Sequence, residues 1–302
     1  MTGGIRMKIT DIMKERMTFS FEVFPPKEHQ PMEPLLETLD HLYGFKPDFI
    51  SCTYGAGGTN AGRNMEICKA IKDSGQTIPV THYTCIGNKK EKIKEDLQGY
   101  LDAGVNHILA LRGDFPKGWK ETRGDFDHAN ELVEFIKTNF PEFCVSIAGN
   151  PEKHIQARTL DEDITHLRVK QDAGGDYIVT QLCYDMENYK RWVDKIRKAG
   201  VTLPIVVGVM PVLAKDPTIR MTVTNGCSIP KELAEIIGKY GEDPEDFKKA
   251  GKEYTVKLIY EYINTGINGL HIYTLNKWED VTDILIDAGI RNTKEIALGP
   301  AV

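Results

Sequence analysis

A single carboxylate interrupts the apolar stretch of residues 18–24, directly before Pro25 and Pro26. Alternating aromatic and β-branched residues are typical of a β-strand, and the two prolines would end it. Glu22 would then share a strand face with Ser20, near the carboxyl end of the strand. A carboxyl group held among apolar side chains keeps its proton more readily than one in water. Glu22 is therefore a candidate general acid; the alternative is a buried Glu paired with an Arg or Lys of a neighbouring strand.

Seven further short apolar runs, bounded by turn residues, have the same character. The eight predicted strands cover residues 18–24, 49–54, 79–85, 107–112, 143–149, 177–183, 204–210 and 270–275. Stretches of helical length lie between them, among others at residues 91–103, 126–139, 159–173 and 188–199. Because strands and helices alternate, we expect parallel strands with right-handed crossovers. Eight such units favour an α/β fold, a single-domain (β/α)8 TIM barrel over residues 1–302, with the barrel itself at about 17–290.

The carboxyl ends of the strands are where such barrels carry their chemistry. Polar residues collect at these predicted ends, whereas the strand bodies are apolar. They include Glu22, Thr53, Tyr54, His82, Arg112, Asp114, Asn150, Gln181 and Asn276. Residues 54–59 form a glycine-rich loop that would let backbone approach a ligand closely. The longer connection at residues 211–243 is expected to hold short helices over the barrel mouth.

Composition limits the partners and the compartment. The chain has 302 residues, of which 41% are hydrophobic and 27% charged, and its formal net charge is -6. This mild acidity argues against nucleic-acid binding, and no apolar run is long enough for a membrane span. The six cysteines show no CxxC pattern and no metal-ligand spacing. We therefore expect a cytoplasmic protein with free thiols and no metal site.

Taken in chain order, the segments at these strand ends resemble the methylenetetrahydrofolate reductase family. The matching segments are residues 20–27 (SFEVFPPK), 53–56 (TYGA), 82–85 (HYTC), 110–114 (ALRGD), 151–154 (PEKH), 172–174 (DAG), 180–181 (TQ) and 273–276 (YTLN). They span nearly the whole chain, and their combination is specific although each segment alone is not. The resemblance implies a flavoprotein oxidoreductase of one-carbon metabolism and methionine biosynthesis. It would reduce 5,10-methylenetetrahydrofolate to 5-methyltetrahydrofolate, with hydride passing from a reduced donor through flavin N5.

The resemblance also implies roles for individual residues. Glu22 matches the acid that protonates the leaving nitrogen, N10, of the folate, and Asp114 matches an acid that tunes the flavin potential. The alternative for Asp114 is a turn cap after the fourth strand. Cofactor-binding positions are Thr53, Tyr54, Ala56, His82, Leu111, Arg112, Gly113, Asp114, His128, Ala129, Asn150, His154, Ala157, Asp163, His166 and Lys170. Substrate-binding positions are Glu22, Thr53, Gln181, Met221 and Lys277.

Several positions depart from the family pattern. Asn150 and His128 stand where relatives carry Tyr, and Val169 stands in place of a basic residue. These departures concern the adenine end of the cofactor, so we expect FAD, with FMN as the alternative. After the seventh strand, residues 215–217 and Met221 replace a Gln and a Phe that would embrace nicotinamide or pterin. The expected electron donor is therefore NAD(P)H or a partner electron-transfer protein, and NADH is predicted to reduce the isolated chain slowly or not at all.

Two other interpretations remain open at this stage. A different flavin barrel, such as a relative of proline dehydrogenase, would share the fold but not this set of motifs. A flavin- or folate-binding subunit of a multi-protein methyl-branch complex would need a partner for electron supply, although the presence of both Glu22 and Asp114 argues against an inert subunit. A homo- or hetero-oligomer is expected. The chain ends just past the barrel, so control by adenosylmethionine through a C-terminal region is not expected.

Overall fold

Eight parallel strands form the centre of the computed structural model, which describes residues 7–54, 61–115 and 118–290. The strands are β1 (Thr18–Val23), β2 (Phe49–Cys52), β3 (Ile78–Thr84), β4 (His107–Leu111), β5 (Cys144–Gly149), β6 (Tyr177–Thr180), β7 (Ile205–Val209) and β8 (Gly269–Tyr273). They pair in sequence order, and β1 also pairs with β8, which closes the sheet. The predicted (β/α)8 barrel is confirmed.

The described helices lie around this barrel, most of them against its outer face. They are α1 (Ile9–Glu15), α2 (Glu33–Tyr43), α3 (Ala61–Ser74), α4 (Lys90–Asp102), α5 (Ala129–Asn139), α6 (Leu160–Asp172), α7 (Met186–Lys198), α8 (Lys215–Thr224), α9 (Lys231–Tyr240), α10 (Pro244–Asn264) and α11 (Trp278–Asp287). The short helices expected in the long connection are α8 and α9, as predicted. Within the described ranges, no helix combines the length and apolarity needed to cross a membrane.

Several strands end earlier than the apolar runs that predicted them. The sixth run extends to residue 183, but β6 ends at Thr180. Leu182 and Cys183 are each only 2% exposed, because the loop packs into the layer between barrel and helices. The Tyr262 hydroxyl on α10 donates to the Cys183 carbonyl oxygen. These residues are apolar because their loop packs under a helix. An apolar run in the sequence does not distinguish such a loop from a strand that pairs in the sheet.

The alternation in β1 places its two faces as predicted. Phe19 and Phe21 are fully buried in the layer of helix-facing side chains. Ser20 points into the barrel, where its hydroxyl meets a side chain of β8. Glu22 follows it on the same inward face, one step nearer the mouth.

The opposite end of the barrel is closed by α1, which the sequence did not predict. Ile9 and Met13 of this helix pack into the barrel interior with apolar side chains of five strands. The described strand residues of this base cluster are Phe49, Val80, Cys144, Tyr177, Val179 and Val206, with Ile78 at its edge. The base cluster is apolar, and the predicted site residues lie at the other end of the barrel.

Candidate active site

Glu22 lies near the carboxyl end of β1, between two histidines. Its Oε2 atom lies 3.5 Å from His82 Nε2 on β3 and 3.8 Å from His271 Nε2 on β8. The Glu22 side chain is 21% exposed, whereas the two imidazoles are 9% and 1% exposed. Among the described side chains, these imidazoles are the basic groups within 4.0 Å of the carboxylate. The partners of Glu22 here are thus titratable rings, not the Arg or Lys of the alternative interpretation.

Two serine hydroxyl groups hold the His271 ring. The Ser20 hydroxyl donates to the Leu270 carbonyl oxygen at 3.2 Å and lies 2.8 Å from His271 Nδ1. When the ring carries its proton on Nδ1, it donates to Ser20. Nε2 is then an acceptor, and the Ser51 hydroxyl lies 3.3 Å from it. Because the same nitrogen faces Glu22, a protonated Glu22 has an acceptor on that side.

His82 is neutral at the pH of a cell. Burial lowers the pKa of His82; the nearby Glu22 carboxylate opposes this shift and His271 adds to it. A neutral imidazole exerts no full charge on the adjacent carboxyl group. The environment of Glu22 is therefore polar but without a fixed cation among the described residues, which suits a group that must hold and release a proton.

Tyr273 crosses the barrel interior next to Glu22, its neighbour in the β1–β8 register. Its hydroxyl donates to the Thr180 carbonyl oxygen on β6 at 2.6 Å. A Cβ atom on Gly208 of β7 would lie 2.2 Å from the Tyr273 hydroxyl oxygen, far inside contact distance. Gly208 therefore makes room for the ring. On the backbone side, the Thr274 hydroxyl donates to the Glu22 carbonyl oxygen at 2.7 Å and fixes the end of β1.

The end of β2 brings Thr53 and Tyr54 to the same rim. The Thr53 amide donates to the Val23 carbonyl oxygen at 3.0 Å, which extends the β1–β2 pairing by one residue. Thr53 has the same parity as the inward-facing Ser51, so it lies above that serine. The Tyr54 ring lies 5.1 Å from the buried Tyr83 ring, and burial raises the pKa of its hydroxyl. Ala56, the next predicted cofactor residue, lies outside the described residues.

Asp163, on α6, accepts hydrogen bonds from two predicted cofactor residues that follow β5. It is 8% exposed, and its Oδ2 atom accepts from the His154 amide at 3.2 Å and from Asn150 Nδ2 at 3.4 Å. Lys170, two helical turns further along α6, donates to the Ala148 carbonyl oxygen. Burial lowers the pKa of Lys170 to about 8, although Asp163 opposes the shift.

His154 connects this group to the end of β4. Burial lowers its pKa most strongly; the carboxylates of Asp163 and Asp114 oppose that shift, and the cations Arg112 and Lys170 add to it. The charges of these four side chains therefore all act on the His154 ring. The structure brings the His154 amide into contact with Asp163, and Ala157 is buried beside them at 9% exposure.

The segment after β4 is shaped by Arg112 and Gly113. Arg112 donates to Gln156 Oε1 at 2.8 Å, and its guanidinium lies 4.8 Å from the centre of the Phe115 ring. Gly113 has a φ of 91°, and a Cβ atom there would lie 2.7 Å from a side-chain carbon of Ile86. A glycine is required at this turn. Asp114 follows it and is exposed, and Leu111 precedes it with intermediate exposure.

Asn225 connects Gln181 and Met221 through two hydrogen bonds. Gln181 Nε2 donates to Asn225 Oδ1 at 2.9 Å, and Asn225 Nδ2 donates to the Met221 carbonyl oxygen at 2.8 Å. The Gln181 oxygen accepts from the Leu182 amide at 2.8 Å. The loop after β6 is thus joined to the end of α8, which places both predicted substrate residues at one side of the mouth.

Three predicted site residues lie on exposed surface. His128 is exposed directly before α5, where its amide donates to Glu131 Oε2 at 3.0 Å, and Ala129 begins that helix. His166 is exposed on α6, and Lys277 is exposed directly before α11. His166 still shares a helical stripe with Asp163 and Lys170, because positions three and four apart lie on one face.

Four residues of this cluster are not among the predicted site residues: His271, Ser20, Ser51 and Tyr273. A signal was present for two of them, since His271 and Tyr273 alternate in the last predicted strand as Ser20 and Glu22 do in the first. Only closure of the barrel makes the first and last strands neighbours, and this pairing places the imidazole beside the carboxylate.

Fold and site together define a (β/α)8 barrel with a carboxyl–imidazole cluster at its mouth. The family model described as methylenetetrahydrofolate reductase matches residues 7–289. The chain therefore belongs to the methylenetetrahydrofolate reductase family.

Individual relatives agree with this assignment. Methylenetetrahydrofolate reductase 1 of Schizosaccharomyces pombe is 36% identical over 293 residues, covering 94% of this chain and 49% of the relative. The 5,10-methylenetetrahydrofolate reductase of Escherichia coli K12 is 31% identical over 276 residues, covering 91% of this chain and 92% of that relative. The chain thus spans about half the length of the yeast relative and nearly all of the bacterial one.

A solved structure shares the fold. An uncharacterized protein from Clostridium thermocellum, described as binding two copies of 5-methyl-5,6,7,8-tetrahydrofolic acid, superposes with a TM-score of 0.68. The two chains are 13% identical, and the match covers 94% of this chain and 99% of the other. At this identity the similarity concerns the barrel fold alone.

Proposed function

We propose that this chain reduces 5,10-methylenetetrahydrofolate to 5-methyltetrahydrofolate, with Glu22 as the general acid and a flavin as the hydride carrier. The observation that carries the proposal is the position of Glu22, at the barrel mouth between two imidazoles. Opening the five-membered ring of the folate needs a proton on N10, and it leaves an electrophilic carbon that accepts hydride. The Glu22 side chain is 21% exposed at the mouth, and the described basic groups within 4.0 Å of it are imidazoles and not a Lys or an Arg.

The neighbours of Glu22 support the acid role. His82 is neutral because burial lowers its pKa, so it does not hold Glu22 as a carboxylate through a full ion pair. In the tautomer that carries its proton on Nδ1, His271 presents Nε2 as an acceptor 3.8 Å from Glu22 Oε2. Once the folate N10 lies within hydrogen-bond distance of Glu22, the proton can move to it. Tyr273 closes the interior beside the acid and limits the access of water from below.

The residues around Asp163 fit a flavin nucleotide. Lys170 and Arg112 are cations beside a cluster of buried polar groups, which suits a phosphate. Gly113, with its φ of 91° and its close packing against Ile86, fixes the turn that presents Arg112 and Asp114 to the cofactor. FAD is the proposed cofactor, with FMN as the alternative, and when bound it would supply the hydride. Asp114 would oppose accumulation of negative charge on the reduced ring.

Folate would be held on the other side of Glu22. The Gln181 amide presents a donor and an acceptor together, which is what the edge of a pterin requires. In the structure both groups are engaged, with Asn225 and with the Leu182 amide. Substrate would compete with these bonds, and Thr53, Met221 and Lys277 would complete the contact from the neighbouring loops.

The direct test uses flavin that has been reduced chemically, so that the identity of the physiological donor does not matter. Purified protein loaded with FAD is reduced with dithionite under anaerobic conditions and mixed with methylenetetrahydrofolate. Reoxidation of the flavin should accompany formation of 5-methyltetrahydrofolate. Glu22→Gln keeps the shape but lacks the proton, so this step should slow by about 10²-fold or more. Near-normal turnover by Glu22→Gln would make Glu22 a structural residue instead.

The electron donor is a separate prediction. Pro217 and Met221 of α8 offer neither an amide nor an aromatic ring to nicotinamide. We therefore expect NADH to reduce the flavin of the isolated chain slowly or not at all, with a partner protein delivering electrons in the cell. Anaerobic stopped-flow mixing with NADH measures this rate. Complete bleaching at a rate equal to turnover would show that no partner is needed.

A further inference from the structure

Asn64, on α3, is fully buried behind the mouth and uses every hydrogen-bonding position of its amide. Its Nδ2 atom donates to the carbonyl oxygens of Cys52 at 2.9 Å and Thr53 at 3.0 Å. Its Oδ1 atom accepts from the Thr81 hydroxyl at 2.8 Å and from the Tyr100 hydroxyl at 2.7 Å. One side chain therefore joins β2, β3 and α4 at a single point.

Both Asn64 donors go to the carboxyl end of β2. Cys52 is the last residue of that strand, and Thr53 is the first residue beyond it. Carbonyl groups at such a strand end have lost the regular ladder and need another donor when they are buried. Asn64 supplies that donor for both groups, and so it fixes the backbone from which Thr53 extends toward the mouth.

The acceptor side of Asn64 reaches a second mouth residue. The Thr81 hydroxyl that donates to Asn64 also lies 3.0 Å from the carbonyl oxygen of His82. His82 is the imidazole nearest to Glu22. Because Thr81 directly precedes His82 on β3, the Asn64 amide links the backbone of Thr53 to the segment that carries His82.

We propose that Asn64 is a positioning residue of the active site: through its bonds to Thr53 and Thr81 it holds two mouth segments at the distance that ligand binding requires. This inference rests on the proposed function, because Thr53 is assigned there to the substrate and cofactor. An ordinary core amide would contribute to stability alone. Asn64 differs because its two donors serve the segment that carries a site residue.

The test compares a variant of Asn64 with a variant of Tyr100, whose hydroxyl donates to the Asn64 amide. Asn64→Asp keeps the shape and the oxygen that accepts from Thr81 and Tyr100, but it leaves at most one donor for two carbonyl groups. Tyr100→Phe removes a donor to the same amide from the α4 side and leaves the bonds to β2 intact. Both should lower the melting temperature by a similar amount, about a few degrees. If Asn64→Asp does not fold, Asn64→Ala removes the same donors without adding an acid.

The two variants should differ at the site. Asn64→Asp should weaken flavin binding to the apoprotein, measured by fluorescence quenching, and raise the KM for methylenetetrahydrofolate, each by about tenfold. Tyr100→Phe should change both by less than about twofold. In the unliganded protein, hydrogen–deuterium exchange of the peptide covering residues 49–54 should increase in Asn64→Asp and stay at the wild-type rate in Tyr100→Phe.

Equal effects of the two variants on affinity and exchange would overturn the positioning role, and so would wild-type values in Asn64→Asp. A wild-type protein that neither binds flavin nor reduces folate would instead overturn the proposed function. The exchange measurement still decides about Asn64 in that case, because it needs no ligand.

Discussion

The two ends of the barrel each bury a histidine, and the partners of the two rings differ. At the base, His107 Nε2 accepts from the Ile9 amide at 3.3 Å, and Nδ1 lies 3.1 Å from Asn106 Oδ1. At the mouth, His82 lies 3.5 Å from the carboxylate of Glu22. Burial lowers the pKa of both rings, to about 3 for His107. Burial alone therefore does not mark a functional histidine; the nature of its partner does.

The partners of the His107 ring are a backbone amide and a side-chain amide, and neither group titrates. Protonation of His107 would put a hydrogen on the nitrogen that accepts from Ile9, so it would break the contact that docks α1. The mouth ring instead faces Glu22, a group that can gain and lose a proton and that remains partly open to ligands. Stability at the base and chemistry at the mouth is the division expected of this fold.

The largest effect expected from this comparison is on acid stability. The pKa of His107 is lowered from 6.5 to about 3 in the folded protein, whereas the unfolded chain takes up its proton near 6.5. Because the folded pKa lies below the unfolded one, the contribution of the neutral ring is complete above about pH 6.5. It is lost as the pH falls toward 3, by about 1.4 kcal/mol per pH unit for one proton.

Urea unfolding at a series of acidic pH values measures this loss. Replacing His107 by Gln keeps an acceptor near the Ile9 amide but removes the titrating group, so the free energy of unfolding should fall less steeply with acidification than in the wild type. Parallel pH profiles for the variant and the wild type would show that the base histidine does not control acid stability.

The next prediction compares the same substitution in the mouth histidine, His82, and in the base histidine, His107. His82→Gln should lower kcat/KM for methylenetetrahydrofolate by about tenfold or more, because it removes the ring that lies beside the Glu22 carboxyl group. Its free energy of unfolding should change by less than about 1 kcal/mol. His107→Gln at neutral pH should do the reverse, with a loss of stability of about 1–3 kcal/mol and unchanged kcat/KM.

Steady-state kinetics and urea unfolding of the two variants, at the same pH and flavin loading, separate these outcomes. A catalytic loss in His107→Gln as large as in His82→Gln would remove the distinction between base and mouth. Wild-type kinetics in His82→Gln would leave Glu22 without a functional neighbour on β3.

Local pattern was sufficient to predict the barrel and the direction of Glu22. The alternation around that residue is a property of one strand, and the strict order of strands and helices leaves few topologies. The helix α1 was missed because its seven residues are too short to show a clear period, and it is held by Ile9 and Met13 packing into the distant barrel interior. Short elements of this kind depend on tertiary packing more than on sequence.

The partners of Glu22 were harder to predict than Glu22 itself. His271 lies about 250 residues further along the chain, and only the β1–β8 pairing brings the two together. The space that Gly208 leaves for the Tyr273 ring is another contact between distant strands. The residue types that could react are visible in the sequence, whereas their contacts depend on closure of the barrel.

The smallest expected effect concerns Lys170, a partly buried cation near the mouth whose pKa is lowered to about 8 by desolvation. The protonated amine attracts a phosphate and the neutral amine does not, so affinity for FAD should fall as the pH rises through this value. For one linked proton the loss between about pH 7 and pH 9 is at most about tenfold. Riboflavin has no phosphate, so its affinity should stay constant over this range. Lys170→Met should bind FAD weakly and without this pH dependence, as measured by fluorescence titration of the apoprotein. If FAD and riboflavin weakened equally with pH, Lys170 would belong with the structural groups of the base and not with the ligand-binding groups of the mouth.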